Sequence, residues 1–211
     1  MFYYRMILQA YPPAAGEANM LRFLPLQSAM KHNISDISLL TELLLAYPTA
    51  ASVVDNHNRI VLHYCASRNM DLDFVKRLLE ANPQGAKAKD KNEQIPLHLA
   101  VTRLCELSLI QLLLTYHQNG VLDSDRFGLN PLNYAVENNA AIDMIHVLIQ
   151  ANPTCTQHKI SQNRTVLHQA VEFRRSTETV QAIVQAYPEA TQIQESAQGK
   201  TYCMLFSFLL T

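Results

Sequence analysis

One hexamer constrains this chain more than any other feature, because it recurs. Ile95-Pro96-Leu97-His98-Leu99-Ala100 returns as Ile60-Val61-Leu62-His63-Tyr64-Cys65, as Asn130-Pro131-Leu132-Asn133-Tyr134-Ala135 and as Thr165-Val166-Leu167-His168-Gln169-Ala170. A fainter copy, Leu24-Pro25-Leu26-Gln27-Ser28-Ala29, lies upstream. The second position falls at 25, 61, 96, 131 and 166, a period of 35 with one step of 36. A fixed period in this range means stacked supersecondary units, none able to bury its apolar face alone.

Each hexamer predicts the start of a first helix. Pro25, Pro96 and Pro131 suit the first helical position, where the missing N–H is no loss. The small-residue column Ala29, Cys65, Ala100, Ala135 and Ala170 lets neighbouring units approach closely. A second helix is expected to begin at a polar column, Ser38, Asp73, Ser108, Asp143 and Glu178, where capping and the helix dipole favour such residues. Its apolar stripe has helical spacing, as in Leu72, Val75, Leu78 and Leu79. Proline ends it at Pro48, Pro83, Pro153 and Pro188. The connector that follows carries turn chemistry, with Asp55, Asp90 and Asp125 starting the tip and Asn58, Gly128 and Asn163 three residues beyond the start. Glu93 and Ile160 break these columns, so the connectors at 84–95 and 154–165 are expected to be less regular.

The hexamer resembles the Thr-Pro-Leu-His-x-Ala signature of the ankyrin-repeat family, over nearly the whole chain. The resemblance implies an all-α, ankyrin-type solenoid of stacked helix-turn-helix repeats with β-turn fingers. Residues 1–211 would then form a single solenoid, with repeats opening near 24, 60, 95, 130 and 165. A half repeat at 1–14 would contribute a lone second helix, and an incomplete repeat would start at about 200. Neither end has the polar face of a capping repeat, so the chain reads as cut from a longer array or altered at its end. In the family the hexamer histidine is structural, bonding a threonine and nearby backbone. Thr165 and His168 keep that pair, whereas Ile60 and Ile95 replace the threonine and leave the bond open for His63 and His98.

Bond chemistry finds no foothold. His63, His98 and His168 sit on successive repeats roughly 10 Å apart, the spacing of packed helices, so they cannot converge on a metal. Cys155 and His158 are close in sequence but have no recognisable orienting group. Asp71 and Asp73 read as a helix start, and Arg174-Arg175 as a solvated corner. The five glycines are isolated, which excludes a phosphate-cradling loop. No enzyme, cofactor or metal is therefore expected. Cys65, Cys105, Cys155 and Cys203 have neither zinc-ligand nor redox spacing, which points to a reducing, intracellular setting, cytoplasmic or nuclear. No apolar run approaches the ~20 residues of a membrane span, and Arg5 and Gln9 interrupt any signal-peptide core.

What remains is surface. In the ankyrin family, partners lie against finger tips and the exposed ends of first helices. Carried over, this implies a protein-binding module or scaffold working through Asn56, His57, Arg59 and Arg68 in one repeat and Lys91, Asn92, Gln94 and Arg103 in the next. Arg126, Phe127, Leu129 and Asn138 follow, then Arg164 and Phe173. The basic members would line one side of a solenoid and favour an acidic protein partner. Nucleic acid is not expected, since aromatic interleaving and dense lysine clusters are lacking. Self-association is expected only through uncapped ends. The alternative is the recognition arm of a larger protein, such as an enzyme or ubiquitin-ligase adaptor.

Overall fold

A computed structural model describes residues 12–20 and 23–192 of the chain. The expected helix over 1–11 and the tail beyond Gly199 lie outside the described residues. Among those described there are ten α-helices, and the only strand-like pairing is an isolated bridge between Ile160 and Arg164. The all-helical repeat is therefore the architecture observed. The first helices of the repeats are α1 (Pro25–Lys31), α3 (Val61–Ser67), α5 (Pro96–Thr102), α7 (Pro131–Glu137) and α9 (Val166–Glu172). The second helices are α2 (Ile37–Ala46), α4 (Leu72–Ala81), α6 (Leu107–Tyr116), α8 (Ile142–Ala151) and α10 (Thr177–Ala186).

The chain divides into two compact units, Met1–Tyr116 and His117–Thr211. In the first, α1 packs on α3 and α3 on α5, while α2 packs on α4 and α4 on α6. In the second, α7 packs on α9 and α8 on α10. Within each unit first helices thus stack on first helices, through the hexamers that open them, and second on second. Cys65, Ala100, Ala135 and Ala170 are all fully buried, which is why that column admits only small residues.

At Gln27, His63 and Asn133 the hexamer's fourth position ties its repeat to the next. His63 Nδ1 accepts the Ile60 N–H at 3.3 Å, and Nε2 meets the Gln94 carbonyl at 3.2 Å, 31 residues ahead. A carbonyl only accepts, so the proton sits on Nε2 and the ring is neutral. Burial agrees, holding this imidazole below the usual histidine range. Gln27 does the same with an amide, accepting the Leu24 N–H at 3.0 Å and donating to the Val53 carbonyl at 2.8 Å. Asn133 accepts the Asn130 N–H and donates to Gln169 Oε1. In these three copies the side chain supplies one acceptor and one donor, and no threonine takes part. His98 Nδ1 still accepts the Ile95 N–H, while Thr165 adds a hydroxyl contact to His168 at 3.0 Å.

Three local expectations need correction. The second helices are capped two residues before the polar column, by Asp36, Asp71 and Ser176, which accept the N–H groups of Leu39, Phe74 and Thr179. Asp73, Asp143 and Glu178 lie instead in the first turn, where an acid faces the positive end of the dipole. The connector containing Glu93 is regular. Glu93 adopts φ 60°, and Asp90 closes the same turn as Asp55 and Asp125, each through its N–H to the carbonyl four residues on. Of the four connectors described in full, the one at 154–165 departs, with Gln162 and Asn163 both left-handed. Arg175 is no solvated corner, since its Nη2 donates to the Glu137 carbonyl at the C-terminus of α7.

Candidate partner-binding surface

Four fingers run through residues 48–60, 83–95, 118–130 and 153–165, the first two in one unit and the last two in the other. An aspartate organises each of the first three tips. Asp90 Oδ1 accepts the N–H groups of Asn92 and Gln94 at 2.8 and 3.1 Å, and Asp125 Oδ1 those of Phe127 and Leu129 at 2.9 and 3.0 Å. Asp55 Oδ1 likewise accepts from His57 and Arg59. The other carboxylate oxygen is also occupied. Tyr64 and Tyr134 donate their hydroxyls to Asp55 and to Asp125, the latter at 2.5 Å. Burial alone would raise the Asp55 pKa, but the hydrogen bonds from Tyr64 and the two backbone N–H groups outweigh it and leave it lowered. Burial and the Asp55 carboxylate push Tyr64 up to about 12.

The finger tips are therefore rigid mounts, and the expected residues divide into those on display and those spoken for. In the first unit Asn56, His57, Lys91 and Arg103 are exposed. Asn92 and Gln94 are half-buried through their backbone roles in the Asp90 turn. Arg59 is committed to Asp90, as described below. Arg68 donates to the Met30 carbonyl at the end of α1 and lies 5.5 Å from the Tyr64 ring centre, so its guanidinium caps the preceding first helix. In the second unit Arg126 lies over the ring of Phe127 at 5.0 Å, and Phe127 is 63 % exposed. Leu129 is half-buried, and Asn138 is exposed with its amide on the Tyr134 carbonyl. Arg164, at the base of the fourth finger, pairs with Glu172 at the end of α9, and Phe173 is partly exposed with Arg175 above it. Arg59, Arg68 and Arg164 thus have partners within the chain, whereas Lys91 and Arg103 stand exposed in the first unit. Sequence reading passed over Lys87 and Lys89, both exposed on the second finger. Their alternation with Lys91 was the available signal.

Cys155 is fully buried, and that burial pushes its thiol up to about 12, away from the reactive thiolate. His158 Nε2 donates to the Gly128 carbonyl at 2.7 Å, which leaves that nitrogen no lone pair for the Ser124 hydroxyl 3.3 Å away. Cys65 and Cys105 are also free, buried and raised by that burial. Among the described residues no cluster of three or more His, Cys, Asp or Glu is arranged to hold a metal. No helix there is long and apolar enough to cross a membrane. An open groove of about 590 Å³ lies against α1, with Phe23, Pro25, Ala29 and Ile34 in its walls.

The family model for ankyrin repeats (3 copies) matches residues 26–120, 62–159 and 97–195. No curated protein matches the chain.

Proposed function

Because this chain belongs to the ankyrin-repeat family, whose repeats are generally protein–protein interaction modules, we propose that it is a non-catalytic binding module acting through its finger tips and first-helix ends. The observation that carries this reading is Phe127. An aromatic ring 63 % exposed on a turn locked by Asp125 is a preorganised anchor of the kind that dominates interface energetics. Arg126 over its face adds a charge that steers an acidic partner and a planar surface that packs. Asn56, His57 and Lys91 occupy equivalent tips in the first unit, with Arg103 and Phe173 at the ends of first helices. The setting this implies is intracellular.

The test is affinity capture with the intact chain, repeated with Phe127→Ala. The reading expects a reproducible partner whose binding weakens by about 2 kcal/mol or more in the variant. Undiminished binding with Phe127→Ala would place the contact elsewhere.

A further inference from the structure

We propose that the second finger carries a lysine comb that docks an extended acidic peptide, with acids at every second residue. This rests on the reading of the fingers as partner-binding elements and names the chemistry of one of them. In the stretch Lys87-Ala88-Lys89-Asp90-Lys91 the three lysines are exposed, Ala88 is half-buried and Asp90 is buried. Ala88 is extended, at φ −63° and ψ 133°. Lys87 closes a short 3-10 helix, Ala88 and Lys89 run on from it and Lys91 opens the Asp90 turn, and the alternating exposure puts the lysines on one side, roughly 6–7 Å apart from one to the next. Acids at every second position of an extended peptide have the same spacing.

Three further observations separate this row from an ordinary solvated loop. Its backbone is fixed to the first finger, since the Lys91 N–H donates to the His57 carbonyl at 3.0 Å and Asn58 Nδ2 donates to the Lys89 carbonyl at 2.6 Å. Asp90, the acid between the lysines, is turned inward and taken up by Arg59 and by two backbone N–H groups. It leaves the outward charge intact. Among the described residues, none of the three ammonium groups is in an ion pair. The equivalent positions of the other fingers are Ser52, Val54 and Asn56, then Leu122, Ser124 and Arg126, then Gln157, Lys159 and Ser161. Only the second finger fills the row with one charge. Val54, 48 % exposed in the same column one finger earlier, supplies an apolar neighbour for a peptide lying across both. A rigid row loses little side-chain-independent freedom on binding, and that favours a matched spacing over mere charge.

The experiment uses the full chain and fluorescence anisotropy with two labelled peptides of equal length and charge. One alternates glutamate with serine, the other carries the same glutamates in one block, and an oligothymidylate serves as the nucleic-acid arm. The alternating peptide is expected to bind tightest, with affinity falling as salt rises. The Lys87→Glu/Lys89→Glu/Lys91→Glu variant is expected to lose that binding by roughly tenfold or more with an unchanged melting temperature. Should charge reversal lower the melting temperature, Lys87→Gln/Lys89→Gln/Lys91→Gln carries the test with a severalfold loss. Equal binding of the blocked peptide, tighter binding of oligothymidylate, or an unaffected variant each overturns the comb. Partner capture that still depends on Phe127 would show that the broader reading survives such a failure.

Discussion

Arg59 and Asp90 join consecutive fingers through a single carboxylate oxygen. Arg59 Nε and Nη2 lie 2.9 and 2.8 Å from Asp90 Oδ2, and the aspartate side chain is only 1 % exposed. The pairing explains a substitution inside the hexamer. In the first and third fingers a tyrosine of the following hexamer, Tyr64 or Tyr134, fills this role, but the second has Leu99 in that column. The preceding finger's arginine takes the place of the absent hydroxyl.

Arg59→Ala should therefore destabilise the chain by about 2–3 kcal/mol, less than for a fully buried pair because Arg59 is partly solvated. The aspartate would be left with an unpaired oxygen. Adding Leu99→Tyr should recover much of the loss by restoring the pairing used in the neighbouring fingers. Urea denaturation of the parent, single and double variants checks both, and a double variant no better than Arg59→Ala would refute the exchange.

His63 sets a pH dependence whose sign follows from its geometry. The folded ring is neutral with a lowered pKa, while the unfolded chain takes up a proton near 6.5. Its contribution is complete above 6.5 and is lost as pH falls through the folded value, because acid favours the unfolded state. Gln27 shows that an amide fits the same two bonds. His63→Gln should thus lose less stability than the parent between neutral and mildly acidic pH. Identical pH slopes in urea midpoints would contradict the neutral, bridging role.

Leu104 is in a conformation that suits it badly. It closes α5 at φ 52°, the left-handed position where Asn33, Asn69 and Asn139 stand in other repeats, and it is 47 % exposed. The Cys105 N–H reaches back to the Ala100 carbonyl at 3.0 Å, as the motif requires. Leu104→Asn should raise stability by about 0.5–1 kcal/mol, seen as a higher melting temperature. A lower one would mean the leucine makes a contact worth more than the strain.

The hexamer's period made the stacking legible, and its small column and proline starts sit where the spacing placed them. The column Asn33, Asn69 and Asn139 also signalled the left-handed helix ends in plain view, but two exceptions, Leu104 and Arg174, obscured it. The surface was harder to read because a long basic side chain has the same letter whether it faces solvent or caps a neighbour. Arg68 reaches a carbonyl 38 residues back, as does Arg175, and no local pattern distinguishes them from Arg103. Pairing across repeats, more than exposure, decided which cations were available.

The central claim is that binding takes place at the finger tips and first-helix ends. Hydrogen exchange of the chain alone and with its captured partner tests it most directly. The account predicts new protection at 56–59, 91–94 and 126–129 and at the ends of α5 and α9, with the solvent faces of α4 and α8 unchanged. Protection confined to α4 and α8, around Arg77 and His146, with the fingers exchanging as before, would contradict it.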